Sequence, residues 1–422
     1  MKIKKIYSKI FSKQYSNPKK AFQTMIYAFQ LNKYLLTYFP NNKNQNSIND
    51  IYKYSLNSSL KALKNPLNSA LINVFFPCEI LHAFNINPLF MEGIAASMAG
   101  AYTEKVFIET AEKNGIPESY CSFHKIFLGG IENNFFPKTK FIGTTTLACD
   151  ANVNTFRYIS SKMNNSLYLL DIPYEISEEN ITYIELQIKE LITELEKLFN
   201  KKFNENKLKE IIKQENETIT FQKQYISKLA IKDFPITSGS EMAKIFINTI
   251  GMGTKEAKEF YIKLNKDIDN YPISKNKKRI FWINLIPFND EIIEKNIDMN
   301  SNIQLLGIDI NFMNTEYIDE ENPYRGLAKK LLYNKLNGNY SRRIEWLKDL
   351  SIQLKANGII NMCQWGCKQS LGGALITKKE FEKLNIPFLI LDGDSGDYSN
   401  NSKGQLKTRV EAFLEILMKE NL

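Results

Sequence analysis

The sequence predicts an α/β protein built from two layered units, each with a parallel sheet between helices, and three observations predict it. Short apolar runs bounded by turn residues read as buried strands, and longer stretches with apolar residues every three or four positions separate them. A repeated strand–helix–strand order builds parallel sheets, because a parallel neighbour needs a long crossover. The series also occurs twice, once over residues 70–172 and again over residues 279–418. With 422 residues the chain is long enough for two or three domains and buries enough core to fold without disulfides or a metal.

Residues 1–65 mix helical stretches with polar breaks such as residues 41–49, and are expected to form a helical N-terminal cap. Residues 66–270 are expected to form the first α/β unit, with strands at 71–76, 140–146 and 167–172; Pro77 stops the first run. A long helical insertion extends it. Ser177 is placed to cap a helix, with Glu178 and Glu179 in its first turn near the positive end of the dipole. Ile181, Ile184, Ile188, Leu191, Leu195 and Leu198 then share one face. Residues 271–278, with Pro272 and several lysines, read as a linker. The second unit, residues 271–422, has expected strands at 279–286, 303–308, 358–362 and 387–391, and helices at 341–354 and 405–418.

Lys and Arg number 55 against 46 Asp and Glu, a formal net charge of +9. The excess is scattered among many Asn, and no basic stripe carries the aromatic spacing of a nucleic-acid fold, so no nucleic-acid partner is expected. The first residues, MKIKKIYSKIFSKQYS, are basic without the uninterrupted apolar core of a secretory signal. No apolar run approaches the ~20 residues of a membrane span, so no membrane is expected. Five cysteines, an odd number, do not make a secreted disulfide framework. A cytoplasmic location is expected, where free cysteines point to metal, redox or nucleophilic chemistry.

The cysteines have telling places. Open parallel sheets bind ligands outside the carboxyl ends of their strands. Cys149 follows the run KFIGTTT, Cys363 and Cys367 follow GIINM in MCQWGCKQSLGG, and Cys78 follows LINVFFP. Cys121, in SYCSFHK, comes after a helical stretch and Pro117. If the loop after residue 362 enters a helix, four-residue spacing puts Cys363 and Cys367 on one side. Only two histidines exist, His82 and His124, and no CxxC pair, which leaves a Cys-only zinc site open and disfavours a His-rich one. Soft thiolates without histidine favour an iron–sulfur cluster held between the units. For any one cysteine, an inert buried thiol is the alternative.

The blocks CEILHAFNINPLFMEG, SYCSFHKIFLGG, TTTLACDANVNTFRYI, CQWGCKQSLGGA and LILDGDSGDYSNNSKGQLKTRVEAFLE run in this order over residues 70–420. Together they resemble the 2-hydroxyacyl-CoA dehydratase family, the proteins related to the 2-hydroxyglutaryl-CoA dehydratase D-component and to benzoyl-CoA reductase subunits. The resemblance implies two flavodoxin-like domains with a 4Fe-4S cluster between them, ligated by Cys121, Cys149 and Cys367, with one iron open to a substrate oxygen. It implies an ATP-hydrolysing iron–sulfur activator protein that delivers one low-potential electron. The thioester carbonyl of a 2-hydroxyacyl-CoA then becomes a ketyl radical anion, the neighbouring hydroxyl leaves, and an enoyl-CoA forms. A homodimer, or a heterodimer with a homologous subunit, is implied too. The chain has no Gly-rich loop of the kind that cradles ATP phosphates, so ATP is expected to be used elsewhere.

Cys78 and Cys363 exceed the three-ligand pattern and resemble the double-cubane branch of the same superfamily, reductases of small molecules with an 8Fe-9S cluster. That cluster takes six cysteines; here Ser395, Asp397 or water would have to replace the sixth. All five cysteines are therefore candidate ligands, and a noncatalytic cluster-bearing subunit is a third reading. Glu92, in FMEGIAAS, is a candidate proton acceptor, with a solvated carboxylate as the alternative. His124 is a candidate to donate a hydrogen bond to a cluster sulfide or to move a proton, with a structural histidine as the alternative. Thr144, Thr145, Thr146 and Ser370 are candidate donors to sulfides, and DGDSGD reads as turn chemistry.

Overall fold

All seven expected strands form, and an eighth joins them. The computed structural model describes residues 2–40 and 45–419. Ser69–Ile72 (β1), Asn87–Phe90 (β2), Phe141–Thr145 (β3) and Leu167–Leu170 (β4) make one sheet in the order β2-β1-β3-β4. Lys278–Ile283 (β5), Ile303–Ile308 (β6), Gly358–Gln364 (β7) and Phe388–Gly393 (β8) make a second in the order β6-β5-β7-β8. Every pairing is parallel. Both sheets thus have the flavodoxin-like 2-1-3-4 order, whose ligand crevice opens where the order reverses, between first and third strands. β5, β6 and β7 are buried along their whole length, as strands covered on both faces must be.

The unexpected strand is β2, Asn-Pro-Leu-Phe. It is short and contains Pro88, which cannot donate to a ladder; as the edge of its sheet it does not need to. The expected strand at 71–76 is displaced towards the N-terminus. The chain leaves the sheet after Ile72, and the apolar residues Val74, Phe75 and Phe76 continue as a loop.

Lys2–Gln14 (α1), Pro18–Tyr38 (α2) and Asn46–Lys64 (α3) are the N-terminal helices. Residues 41–44 of the expected polar break lie outside the described residues, and from Asn46 the chain is already helical, with Ser47 donating from its amide (3.0 Å) and hydroxyl (2.6 Å) to Asp267. Cys78–Ala83 (α4), Met91–Gly100 (α5), Glu104–Lys113 (α6), Ser122–Glu132 (α7) and Asp150–Met163 (α8) follow. The insertion comprises Glu178–Phe199 (α9), Glu205–Leu229 (α10), Ser238–Ile250 (α11) and Lys255–Asp269 (α12). Ser177 caps α9 by accepting from the Asn180 amide at 3.1 Å. The predicted face from Ile181 to Leu195 is buried, each full burial stabilising by about 1.5–3 kcal/mol. Leu198 is the exception: it is exposed, and Phe199, four residues after Leu195, takes the buried place.

Glu291–Ile293 (α13), Pro323–Leu332 (α14), Tyr340–Gln353 (α15), Lys368–Leu371 (α16), Ala374–Glu382 (α17) and Lys403–Lys419 (α18) complete the second half. The insertion ties the halves together. α9 packs on β4 and α14, α10 on α4, α12 and α14, and α11 on both β2 and β6. Among the described residues no helix is long and apolar enough to cross a membrane.

Candidate functional site

Three cysteines are the N-cap residues of helices, where backbone N–H groups are unpaired and point outward. Cys121 is the N-cap of α7, Cys149 of α8 and Cys367 of α16. The backbone amides of Ala151 and Asn152 lie near enough to Cys149, and that of His124 to Cys121, to favour the thiolate forms, although neither sulfur accepts a cap hydrogen bond. Cys149 is reached through a tight turn. Ala148 has φ 61°, a left-handed conformation unusual for alanine, and the Cys149 amide donates back to Leu147 O at 2.7 Å.

Cys149 and Cys367 occupy equivalent places, just beyond the third strand of each sheet, β3 and β7. Two contacts bring the second half against Cys121. Gly366, at φ +72°, lies so close that a Cβ there would stand 2.6 Å from the Cys121 nitrogen and 2.7 Å from Ser119 O, which only glycine permits. Asp394 accepts from Ser122 Oγ at 2.5 Å, and also from Gln364 Nε2 (2.5 Å) and the amides of Gly396 (2.8 Å) and Asp397 (3.0 Å). The DGDSGD turn is therefore wound around one carboxylate and clamps the residue next to Cys121. At the surface Lys368 meets Asp150 at 3.0 Å, joining the two helices that follow Cys367 and Cys149.

The three thiols act on one another. Burial, then Cys367 and Cys149, push the Cys121 thiol well above its ordinary value. Burial, then Cys367 and Glu92, push Cys149 up to about 12. Arg343, a buried guanidinium, lies near enough to Cys367 to interact with it; it holds Gln369 O at 3.1 Å and Asp309 at 2.7 Å. Its charge is paired with Asp309, so it acts on Cys367 as one half of a buried ion pair.

Cys363 and Cys78 are placed differently. Cys363 belongs to β7, and a turn through Trp365 and Gly366 precedes α16, so the four-residue spacing does not put it on a helix face with Cys367. Its thiol donates to Ser370 O and accepts from Asn361 Nδ2, both at 3.5 Å, and burial followed by Asp392 raises it to about 11. Cys78 begins α4, buried beside Glu79, Lys330 and Glu215.

Glu92 lies in the first turn of α5 with its carboxylate buried, not solvated. Oε1 accepts from the Val74 amide at 3.3 Å, Oε2 has no partner, and burial pushes the group up to about 7. Asn152 is fully buried one helical turn after Cys149, faces Glu92, and leaves both ends of its carboxamide unpaired; Asn73 Oδ1 is unpaired as well. Buried polar atoms without partners cost about 1–3 kcal/mol each, so such a group marks a place where a ligand or water belongs.

His124 sits behind Cys149. Tyr120 Oη donates to Ala151 O at 2.9 Å, so its 3.0 Å contact with Thr155 Oγ1 uses the threonine proton. Thr155 then accepts from His124 Nδ1 at 2.8 Å, leaving Nε2 as an acceptor facing Cys149 Sγ at 3.8 Å. Burial lowers His124 to about 4, so the ring is neutral. Of the two expected roles, this tautomer suits moving a proton at Nε2; donating a hydrogen bond from Nε2 would need the other tautomer. Thr144 Oγ1 is buried and unpaired, while Thr145, Thr146 and Ser370 are engaged in protein hydrogen bonds.

Residues 73–417 match the family model described as 2-hydroxyglutaryl-CoA dehydratase, D-component. The chain belongs to that family. Among its relatives, the (R)-phenyllactyl-CoA dehydratase alpha subunit of Clostridium sporogenes is 22% identical, over 81% of this chain and 88% of its own. The (R)-2-hydroxyisocaproyl-CoA dehydratase alpha subunit of Clostridioides difficile is 22% identical over 88% and 95%. The alpha subunit of (R)-2-hydroxyglutaryl-CoA dehydratase of Acidaminococcus fermentans is 21% identical over 67% and 61%.

For a dehydratase-family protein the donor set can be tested against a cluster. Among the described residues no three His, Cys, Asp or Glu side chains close on a point that one metal ion would fill. A cubane takes one thiolate per iron, so its cysteines stand farther apart than the ligands of a single ion. Three interacting thiols from both halves, each the N-cap residue of a helix, fit that requirement. Sequence reasoning missed Asn152 and Arg343. The three-residue spacing from Cys149 signals Asn152 once Cys149 is read as a helix cap; nothing local signals Arg343.

Proposed function

We propose that the chain is the cluster-bearing component of a 2-hydroxyacyl-CoA dehydratase. The carrying observation is the meeting of Cys121, Cys149 and Cys367, from both halves, beside the unpaired polar groups of Glu92 and Asn152. Cys121, Cys149 and Cys367 would hold a 4Fe-4S cluster; when bound, it supplies one low-potential electron, received from an ATP-hydrolysing activator, to the thioester carbonyl. Asn152 offers one donor and one acceptor to the carbonyl and hydroxyl of a 2-hydroxyacyl thioester. Glu92, poised near neutrality, in its acid form gives its proton to the departing hydroxyl, which leaves as water. The carboxylate so formed takes the proton lost from the neighbouring carbon, so the group returns to its starting state.

Cys78 and Cys363 are structural thiols in this reading. Their separate environments favour it over the double-cubane reductase, which needs them as ligands. A homologous subunit, or a second copy of the chain, completes the assembly. The test is an anaerobic assay of the chain with its partner subunit, an activator and ATP: a 2-hydroxyacyl-CoA is expected to yield the enoyl-CoA only with ATP. Reduction of small molecules without any acyl-CoA turnover would support the reductase instead.

A further inference from the structure

A cavity beside this site bears on the identity of the acyl group, an inference that rests on the dehydratase reading. Its apolar wall includes Val74 and Phe76 from the loop after β1, Leu147 from the loop after β3, Ile310 and Met313 after β6, and Leu327 of α14. It therefore opens between the carboxyl ends of both sheets. Two contacts join it to the site. The Val74 amide binds Glu92, and Leu147 O accepts the Cys149 amide.

The cavity measures about 40 Å³. One water needs about 10–15 Å³ on such a measure, so the space holds only a few atoms. Its polar lining comprises Lys330 and Glu79 with the neutral side chains of Asn248, Thr249, Asn314 and Asn334. Lys330 is the one cation among the described lining residues, and it is fully engaged: its ammonium binds Glu79 and, at 2.6 Å, Glu215. Glu79 and Glu215 are both buried; against that burial, Lys330 holds Glu79 below the usual carboxylate range, while burial and the nearby Glu79 charge push Glu215 well above it. At neutral pH the three groups sum to no net charge. A carboxylate at the end of an acyl chain would meet Glu79 with no free cation to balance it, at the cost of burying an unpaired charge.

We infer that this cavity seats the acyl chain of the substrate and selects short, uncharged, apolar chains against dicarboxylic ones. Calorimetric titration of the anaerobically purified full chain with 4-methylpentanoyl-CoA and with glutaryl-CoA tests this. Neither has a 2-hydroxyl group to eliminate, so binding is read without turnover. The 4-methylpentanoyl thioester is expected to bind at least tenfold more tightly. Leu327→Trp, which fills the cavity, is expected to remove that preference, and Glu79→Gln combined with Glu215→Gln, which frees the Lys330 charge, to narrow it. Glutaryl-CoA binding as tightly or more tightly to the unaltered chain would overturn the inference and leave the dehydratase reading standing. A preference untouched by Leu327→Trp would put the acyl chain elsewhere and overturn it too. Binding of neither thioester, by the chain alone or with its partner subunit added, would overturn both readings.

Discussion

Cys149→Ser is expected to remove most of the iron from the anaerobically purified protein and to abolish dehydration, and Cys121→Ser and Cys367→Ser to do the same. Each of these residues is an N-cap at the junction of the halves, and the thiols lie near enough to act on one another. Serine keeps the cap but not a soft thiolate. Cys363→Ser is expected to keep its iron, because its thiol is engaged with Ser370 O and Asn361 instead. Cys78→Ser is expected to keep its iron as well, losing about 1–3 kcal/mol of stability through a buried hydroxyl. Iron and sulfide determinations on the five variants check the pattern. A substantial iron loss in Cys363→Ser and Cys78→Ser would instead favour the double cubane.

Glu92→Gln is expected to keep its iron while turnover falls by about 10²–10⁴-fold, the usual worth of a general acid–base group. Proton delivery needs the acid form, so unaltered protein should lose rate as pH rises through about 7, and the variant's residual rate should lack that limb. The substitution should move stability the other way. A carboxyl raised by burial contributes stability that is complete below its ordinary value near 4.5 and is lost as pH rises through about 7. The neutral amide escapes that loss, so the variant should gain up to about 3 kcal/mol at pH 8 and nothing at pH 4.5. Thermal unfolding at the two pH values, beside the rate profile, separates this role from a structural one. A variant with unchanged rate would remove Glu92 from the chemistry.

The strands were legible because a strand buried on both faces must be a short apolar run, and β5 and β6 are read directly from their sequences. β2 was not, because Pro88 and Asn87 speak against a strand everywhere except at an edge, and edges are a property of the assembled sheet. The run at 71–76 overshot because hydrophobicity does not distinguish a strand from a loop lining an apolar cavity. Cys121, Cys149 and Cys367 were found from their places after helices and strands, but the separation of Cys363 from Cys367 depends on the turn through Gly366, whose conformation answers to the Cys121 backbone 245 residues away in sequence. Asn152 is marked only by its spacing from Cys149, which tells nothing until Cys149 is known to cap a helix, and Arg343 carries no local mark; the significance of both comes from unpaired or charged atoms buried by distant elements.

The claim that three thiols from both halves hold one cubane is tested most directly by iron and acid-labile sulfide analysis of the unaltered chain, purified without oxygen. The account predicts about four iron and about four sulfide per chain, lost on exposure to air. Stoichiometric zinc with no uptake of iron on reconstitution would contradict it.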